Sequence, residues 1–146
     1  MEILVERAFG EVPVAIIAIH GDLDASNYLD LIAKAKNVQQ SGFKNILLDL
    51  SNTSFISSAG LVALHSIALL LRGEQPLDPE TGWEAIHAMD RDLSDGMQEH
   101  IKLLNPQPRV ERTLERTGLK DFFYIFTDRA AALSSFKAES TQTPAA

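Results

Sequence analysis

The run from Leu61 to Leu71, LVALHSIALLL, is interrupted only by His65 and Ser66, and no other stretch of this 146-residue chain constrains its folding more. A helix that is apolar on nearly every face must be surrounded by protein, so the fold has to supply cover on all sides of it. What precedes it is equally specific. Ile46-Leu47-Leu48, closed by Asp49-Leu50-Ser51-Asn52, reads as a buried strand entering a polar loop. A second apolar pair, Phe55-Ile56, leads to Ser57-Ser58-Ala59-Gly60 at the head of the helix. Serine hydroxyls at that place meet N–H groups that the first helical turn leaves unpaired, and one of the two is expected to cap. The helix dipole there favours negative charge, so a phosphate on a serine would find donors aimed at it.

The rest of the chain supplies strands and helices in alternation. Glu2 to Arg7 alternates as an edge strand, Gly10-Glu11 makes a turn, and Val12 to Ile19 is a β-branched strand with Pro13 among its first residues. These two are expected to form a hairpin. His20-Gly21-Asp22-Leu23-Asp24 breaks the pattern, and Asp24 is the expected N-cap of a helix with Ala25, Tyr28, Leu29, Ile32 and Ala35 at helical spacing. That helix ends at Ser41-Gly42. Its passage into the strand from Asn45 to Leu50 fits a crossover to a parallel neighbour. From Glu74 to Gly82 the chain is turn-rich and acidic, and Thr81 to Met97 reads as a loop plus a short amphipathic helix. His100 to Leu104 is expected as a strand, and Pro108 to Gly118 as a helix that buries Val110 and Leu114. A last strand is expected over Leu119 to Phe126, then a helix capped by Thr127 or Asp128 and running through Phe136. The whole is α/β: a mixed sheet of four to five strands with helices packed on it, and a helical insertion at about 74–99. Residues 1–137 form a single domain, and the small polar tail 138–146 is expected to be disordered.

Composition excludes several function classes. A hydrophobic fraction of 45% and a charged fraction of 23% are those of a soluble globular domain, and no apolar run reaches the roughly 18 to 20 residues that span a bilayer. The N-terminus has no basic region followed by an apolar stretch, so no signal peptide is expected. Without cysteine there is no disulfide or thiol chemistry. The net charge of −7 argues against nucleic acid. Arg109, Arg112, Arg116 and Lys120 alternate with Glu111 and Glu115, which reads as a solvated helix face. Ser58 is not the centre of a G-x-S-x-G elbow, because Ile56 stands where the first glycine belongs. His65 lies inside the buried helix and is expected to be structural, and His20 has no evident group to orient it as a base. The four histidines have no ligand spacing, so no metal is expected, and no nucleotide motif supports a cofactor.

Three stretches in register resemble the STAS domain, the sulfate transporter and anti-sigma factor antagonist family. They are Leu47-Leu48-Asp49-Leu50-Ser51 followed by Phe55-Ile56-Ser57-Ser58-Ala59-Gly60-Leu61, then Gly21-Asp22-Leu23-Asp24, and Leu114 to Phe122 with Gly118-Leu119 at its centre. The resemblance covers most of the chain from Val12 to Phe136. It implies a cytoplasmic, non-enzymatic partner-switching module that binds an anti-sigma factor which is also a serine kinase, with a phosphatase of the PP2C type resetting it. Carried over residue by residue, the phosphoacceptor is Ser58, with Ser57 as the alternative. The binding face is Asp22, Asp24, Ser54, Ser57, Ala59 and Gly60 with the first turn of the following helix. The other reading is a non-phosphorylated STAS interaction subunit in a stress-signalling assembly or on a transporter. Two features depart from the family pattern: Ser57 in place of the usual aspartate, and the long segment after Gly73, where Trp83, Ile86 and Met89 would be anchors of a partner-specific surface.

Overall fold

A computed structural model of the chain describes residues 2–73 and 98–137. The expected insertion helix, with Trp83, Ile86 and Met89, and the tail 138–146 lie outside the described residues. Two strands, β1 (Glu2–Phe9) and β2 (Pro13–His20), form the hairpin, with Phe9 opposite Pro13 across the turn. Proline opens β2, where its missing N–H costs least. Helix α1 (Tyr28–Gln40) then crosses to β3 (Ile46–Asp49), and α2 (Ser58–Leu71) follows. Beyond the undescribed stretch come β4 (Gln98–Leu104), α3 (Pro108–Arg116), β5 (Phe123–Phe126) and α4 (Arg129–Ser135). The strand order is β1-β2-β3-β4-β5, antiparallel only between β1 and β2 and parallel thereafter.

Side-chain alternation divides the core into two layers. Ile17 and Ile19, Ile46 and Leu48, Ile101 and Leu103 point to one face and pack with α1, α2 and α3. Val14 and Ile16, Leu47 and Leu104 point to the other and pack with Ala132 and Phe136 at α4. Burial on both faces explains why β2 is a continuous apolar run rather than an alternating one. Every residue of α2 from Gly60 to Leu70 is buried, His65 and Ser66 included, as its composition requires. His65 stands edge-on to the Phe122 ring, 5.2 Å between centroids, and belongs to the core.

Several boundaries differ from those read off the sequence. Asp24 does not cap α1. Asn27 is the boundary residue, and its side chain turns back to accept from the Asp24 N–H and to donate to the Asp22 carbonyl, both at 2.9 Å. This side-chain-closed turn competes with helix and delays it to Tyr28. Strand β4 starts two residues before His100, at Gln98, so the insertion is shorter than 74–99 at that end. Leu119 to Phe126 is not one strand. Gly118, in the left-handed region at φ 81°, ends the α3 turn, and a 3-10 turn over Leu119–Asp121 precedes β5. Spacing of three along that turn buries both Leu119 and Phe122, which an extended strand would have separated. The helix-end expectations at Pro108 and Asp128 hold; the Asp128 carboxylate accepts from the Ala131 N–H.

Lys102 is the one buried cation among the described residues, 5% exposed and in register with Leu47. Its ammonium donates to the Ser135 carbonyl and hydroxyl at 3.1 and 3.0 Å, and lies 4.6 Å from the Phe136 ring centroid. It thereby ties the C-terminal end of α4 to the sheet, where the helix dipole favours a cation. Burial pushes its pKa below the ordinary 10.5; Glu99 opposes the shift and Lys137 adds to it. A lysine with a lowered folded-state pKa opposes folding while charged, and that cost fades as pH rises through the folded value towards the unfolded one. Native protein should therefore gain stability relative to Lys102→Met between neutral pH and about pH 10. Urea unfolding at the two pH values measures this, and a pH-independent difference would contradict the assignment.

Candidate functional site: the serine-headed helix and its flanking loops

The loops at the C-terminal ends of β2, β3 and β4 meet at the head of α2, where backbone pairing joins two of them directly. Leu23 and Ile56 form a parallel bridge, with the Leu23 N–H donating to the Phe55 carbonyl at 3.0 Å and the Ser57 N–H to the Leu23 carbonyl at 2.9 Å. Side chains complete the connection. The Ser54 hydroxyl donates to the Asp22 carboxylate at 2.9 Å, and buried Thr53 donates to the Ile19 carbonyl at 2.9 Å. Gln107, on the loop after β4, donates to the Ser51 carbonyl at 2.9 Å. Asp22, Asp24, Ser54, Ser57, Ser58, Ala59 and Gly60 are thus assembled at one end of the sheet.

The two serines are not equivalent. Ser57 has extended backbone and is the N-cap, its hydroxyl accepting from the Gly60 N–H at 3.3 Å. It is half-buried, and its oxygen is committed to satisfying the helix end. Ser58 is the first helical residue and is exposed, and no hydrogen bond engages its hydroxyl among the described residues. Asp24 is half-buried; hydrogen bonds from the Ser26 hydroxyl and N–H hold its pKa below the ordinary carboxylate value.

Gly60 is buried rather than presented at the surface. A Cβ there would stand 2.7 Å from Ile56 Cγ2 and 2.9 Å from the Leu23 carbonyl oxygen. Its smallness lets α2 start against the two bridged loops, so its part in any binding face is to position the serines.

Opposite the serines lies the charged face of α3, which is exposed as its alternating signs imply. An open groove of about 600 Å³ is lined on one wall by Phe55, Ile56, Ser57 and Ser58, and on the other by Arg109, Thr113, Arg116 and Thr117 of α3 and its end. The Arg109 guanidinium lies 5.0 Å over the Phe55 ring centroid. Of the four cations at α3, Lys120 takes both glutamates, Glu111 at 3.1 Å and Glu115 at 3.8 Å. Arg109 and Arg116 have no carboxylate partner among the described residues. Charge alternation along α3 was visible in the sequence, but which face met the serines depends on the β4–α3 loop and the Gln107 contact. Among the described residues no three of His, Asp and Glu are grouped to hold a metal ion, and no helix is long and apolar enough to cross a membrane.

Residues 9–75, from the end of β1 through α2, match the STAS domain family model. The fold agrees along nearly the whole chain. An anti-sigma factor antagonist from Mycobacterium paratuberculosis superposes with a TM-score of 0.64 at 18% identity, covering 92% of each chain. The chain has a STAS-like fold. A Thermotoga maritima protein, described as a candidate anti-sigma factor antagonist, superposes at 0.59 with 21% identity, over 84% of this chain and 86% of its own. The Bacillus cell fate determinant SpoIIAA in its phosphorylated form gives 0.52 with 18% identity, over 90% and 96% of the two chains. No curated relative matches the sequence. At these identities the likeness establishes the STAS fold, a mixed five-stranded sheet with helices on both faces, and the site has to be argued from its own residues.

Proposed function

We propose that this STAS-like protein is a cytoplasmic anti-sigma factor antagonist that works by partner switching and is not itself an enzyme. The unmodified face around the head of α2 binds an anti-sigma factor that is also a serine kinase. The kinase transfers the γ-phosphoryl group of ATP to the Ser58 oxygen, the hydroxyl proton leaves to solvent and ADP is released. A phosphatase of the PP2C class hydrolyses the phosphoester and resets the domain. The observation that carries this reading is the division of labour between the two serines: Ser57 is spent on the cap, while the Ser58 hydroxyl is exposed and unengaged beside it.

The physical consequence of phosphorylation is local. A phosphate brings a charge of about −1.5 to −2, which the helix end tolerates inside the domain but a closely packed partner surface does not. Asp22, Asp24, Ser54, Ser57 and Ala59 would surround the acceptor in the docked state, and Gly60 would set its position. Binding of wild type and Ser58→Asp to purified anti-sigma serine kinases from the source genome, followed by titration calorimetry, tests the reading. Wild type should bind one of them and Ser58→Asp should not.

A further inference from the structure

We propose that a phosphate on Ser58 is gripped within the same chain by Arg109 and Arg116, across the groove between α2 and α3. The inference rests on Ser58 being the residue modified, and it adds what the domain does with the phosphate. The arginines supply the site. Both line the groove that Ser57 and Ser58 line from the other side, and both lack a carboxylate partner among the described residues because Lys120 holds Glu111 and Glu115. Arg109 is already held over this wall by its stack on Phe55, two residues before the cap. Guanidinium groups present paired donors that match phosphate oxygens, a geometry that a lysine lacks. Thr113, half-buried on the same α3 wall, adds a hydroxyl to the lining.

The switch would then have two parts. Phosphorylation places negative charge at the head of α2 and withdraws two cations from the surface in the same event. A groove that is positively charged on its α3 wall in the unmodified protein becomes close to neutral. A partner that places a carboxylate in the groove loses its counterions and meets the phosphate charge beside them.

The test needs no kinase. Protein carrying phosphoserine at position 58 by co-translational incorporation is titrated by phosphorus NMR, alone and with Arg109→Gln, Arg116→Gln or both. Arg112→Gln, an exposed α3 position outside the groove lining, is the control. The second phosphate pKa, about 6 in an unperturbed phosphoserine, should be lower in the parent protein and rise by at least about half a pH unit in the double variant. The control should follow the parent. As a readout without substitutions, two arginine Nε–H resonances should shift on phosphoserine incorporation. Identical titrations in parent and double variant, with no arginine resonance moved, would overturn the clamp. Because the phosphate is installed without an enzyme, that result leaves the partner-switching reading standing, whereas failure of every kinase to bind would remove that reading and leave the titration result intact.

Discussion

Gly60→Val is expected to cost about 3 kcal/mol of stability and to lower the melting temperature by about 10 °C. The first added carbon alone would sit 2.7 Å from Ile56 Cγ2, 2.9 Å from the Leu23 carbonyl oxygen and 3.0 Å from Leu23 Cγ. One of these contacts is backbone, and both residues belong to the bridge that joins the β2–α1 and β3–α2 loops. Nothing there is the free end of a flexible side chain, so the strain must be relieved by moving a loop or the start of α2. The substitution should therefore weaken partner binding beyond its effect on folding, because the serines move with the helix start. Thermal unfolding, together with binding measured well below the melting temperature, separates the two effects. A variant with wild-type stability would show that α2 does not press against the loops as described.

Ser58→Asp is expected to weaken binding of the anti-sigma kinase by about 100-fold, equivalent to about 3 kcal/mol. The estimate follows from placing a charged carboxylate in an interface that has closed over a neutral hydroxyl. The aspartate side chain is shorter than phosphoserine and carries less charge, so the modified protein should bind more weakly still. Ser58→Ala should bind within about threefold of wild type, since alanine is well accommodated in the first turn and the cap belongs to Ser57. Calorimetry of the three proteins against the same kinase gives the comparison. Equal affinities for the alanine and aspartate variants would place the interface elsewhere on the domain.

Much of the architecture was legible in the chain because its layers leave different imprints. Continuous apolar runs at Val12 to Ile19 and Ile46 to Leu48 mark strands buried on both faces, and the all-apolar α2 could only lie between the sheet and other helices. The serine pair at the head of α2 was equally readable, since caps have a short list of residues. Sequence left open which serine caps; that depends on where the Ser57 backbone leaves the extended region, which Leu23 decides through the Ser57 N–H. The turn at Asp24 misled because Asn27, three residues on, is as good a boundary residue and also closes the turn behind it. Gly60, expected on the binding face, is a close contact inside the domain, because smallness in a sequence does not say which neighbour requires it. Arg109 and Arg116 are exposed, as the solvated face expected of α3 requires, but periodicity along α3 carries no information about what stands across the groove.

The most direct test of the central claim is intact-mass spectrometry after incubation with ATP and each anti-sigma serine kinase of the source genome, for wild type, Ser57→Ala and Ser58→Ala. The account predicts a single added phosphate on wild type and on Ser57→Ala, and none on Ser58→Ala. Phosphate retained on Ser58→Ala, or none on wild type with kinases that modify their own substrates, would contradict it.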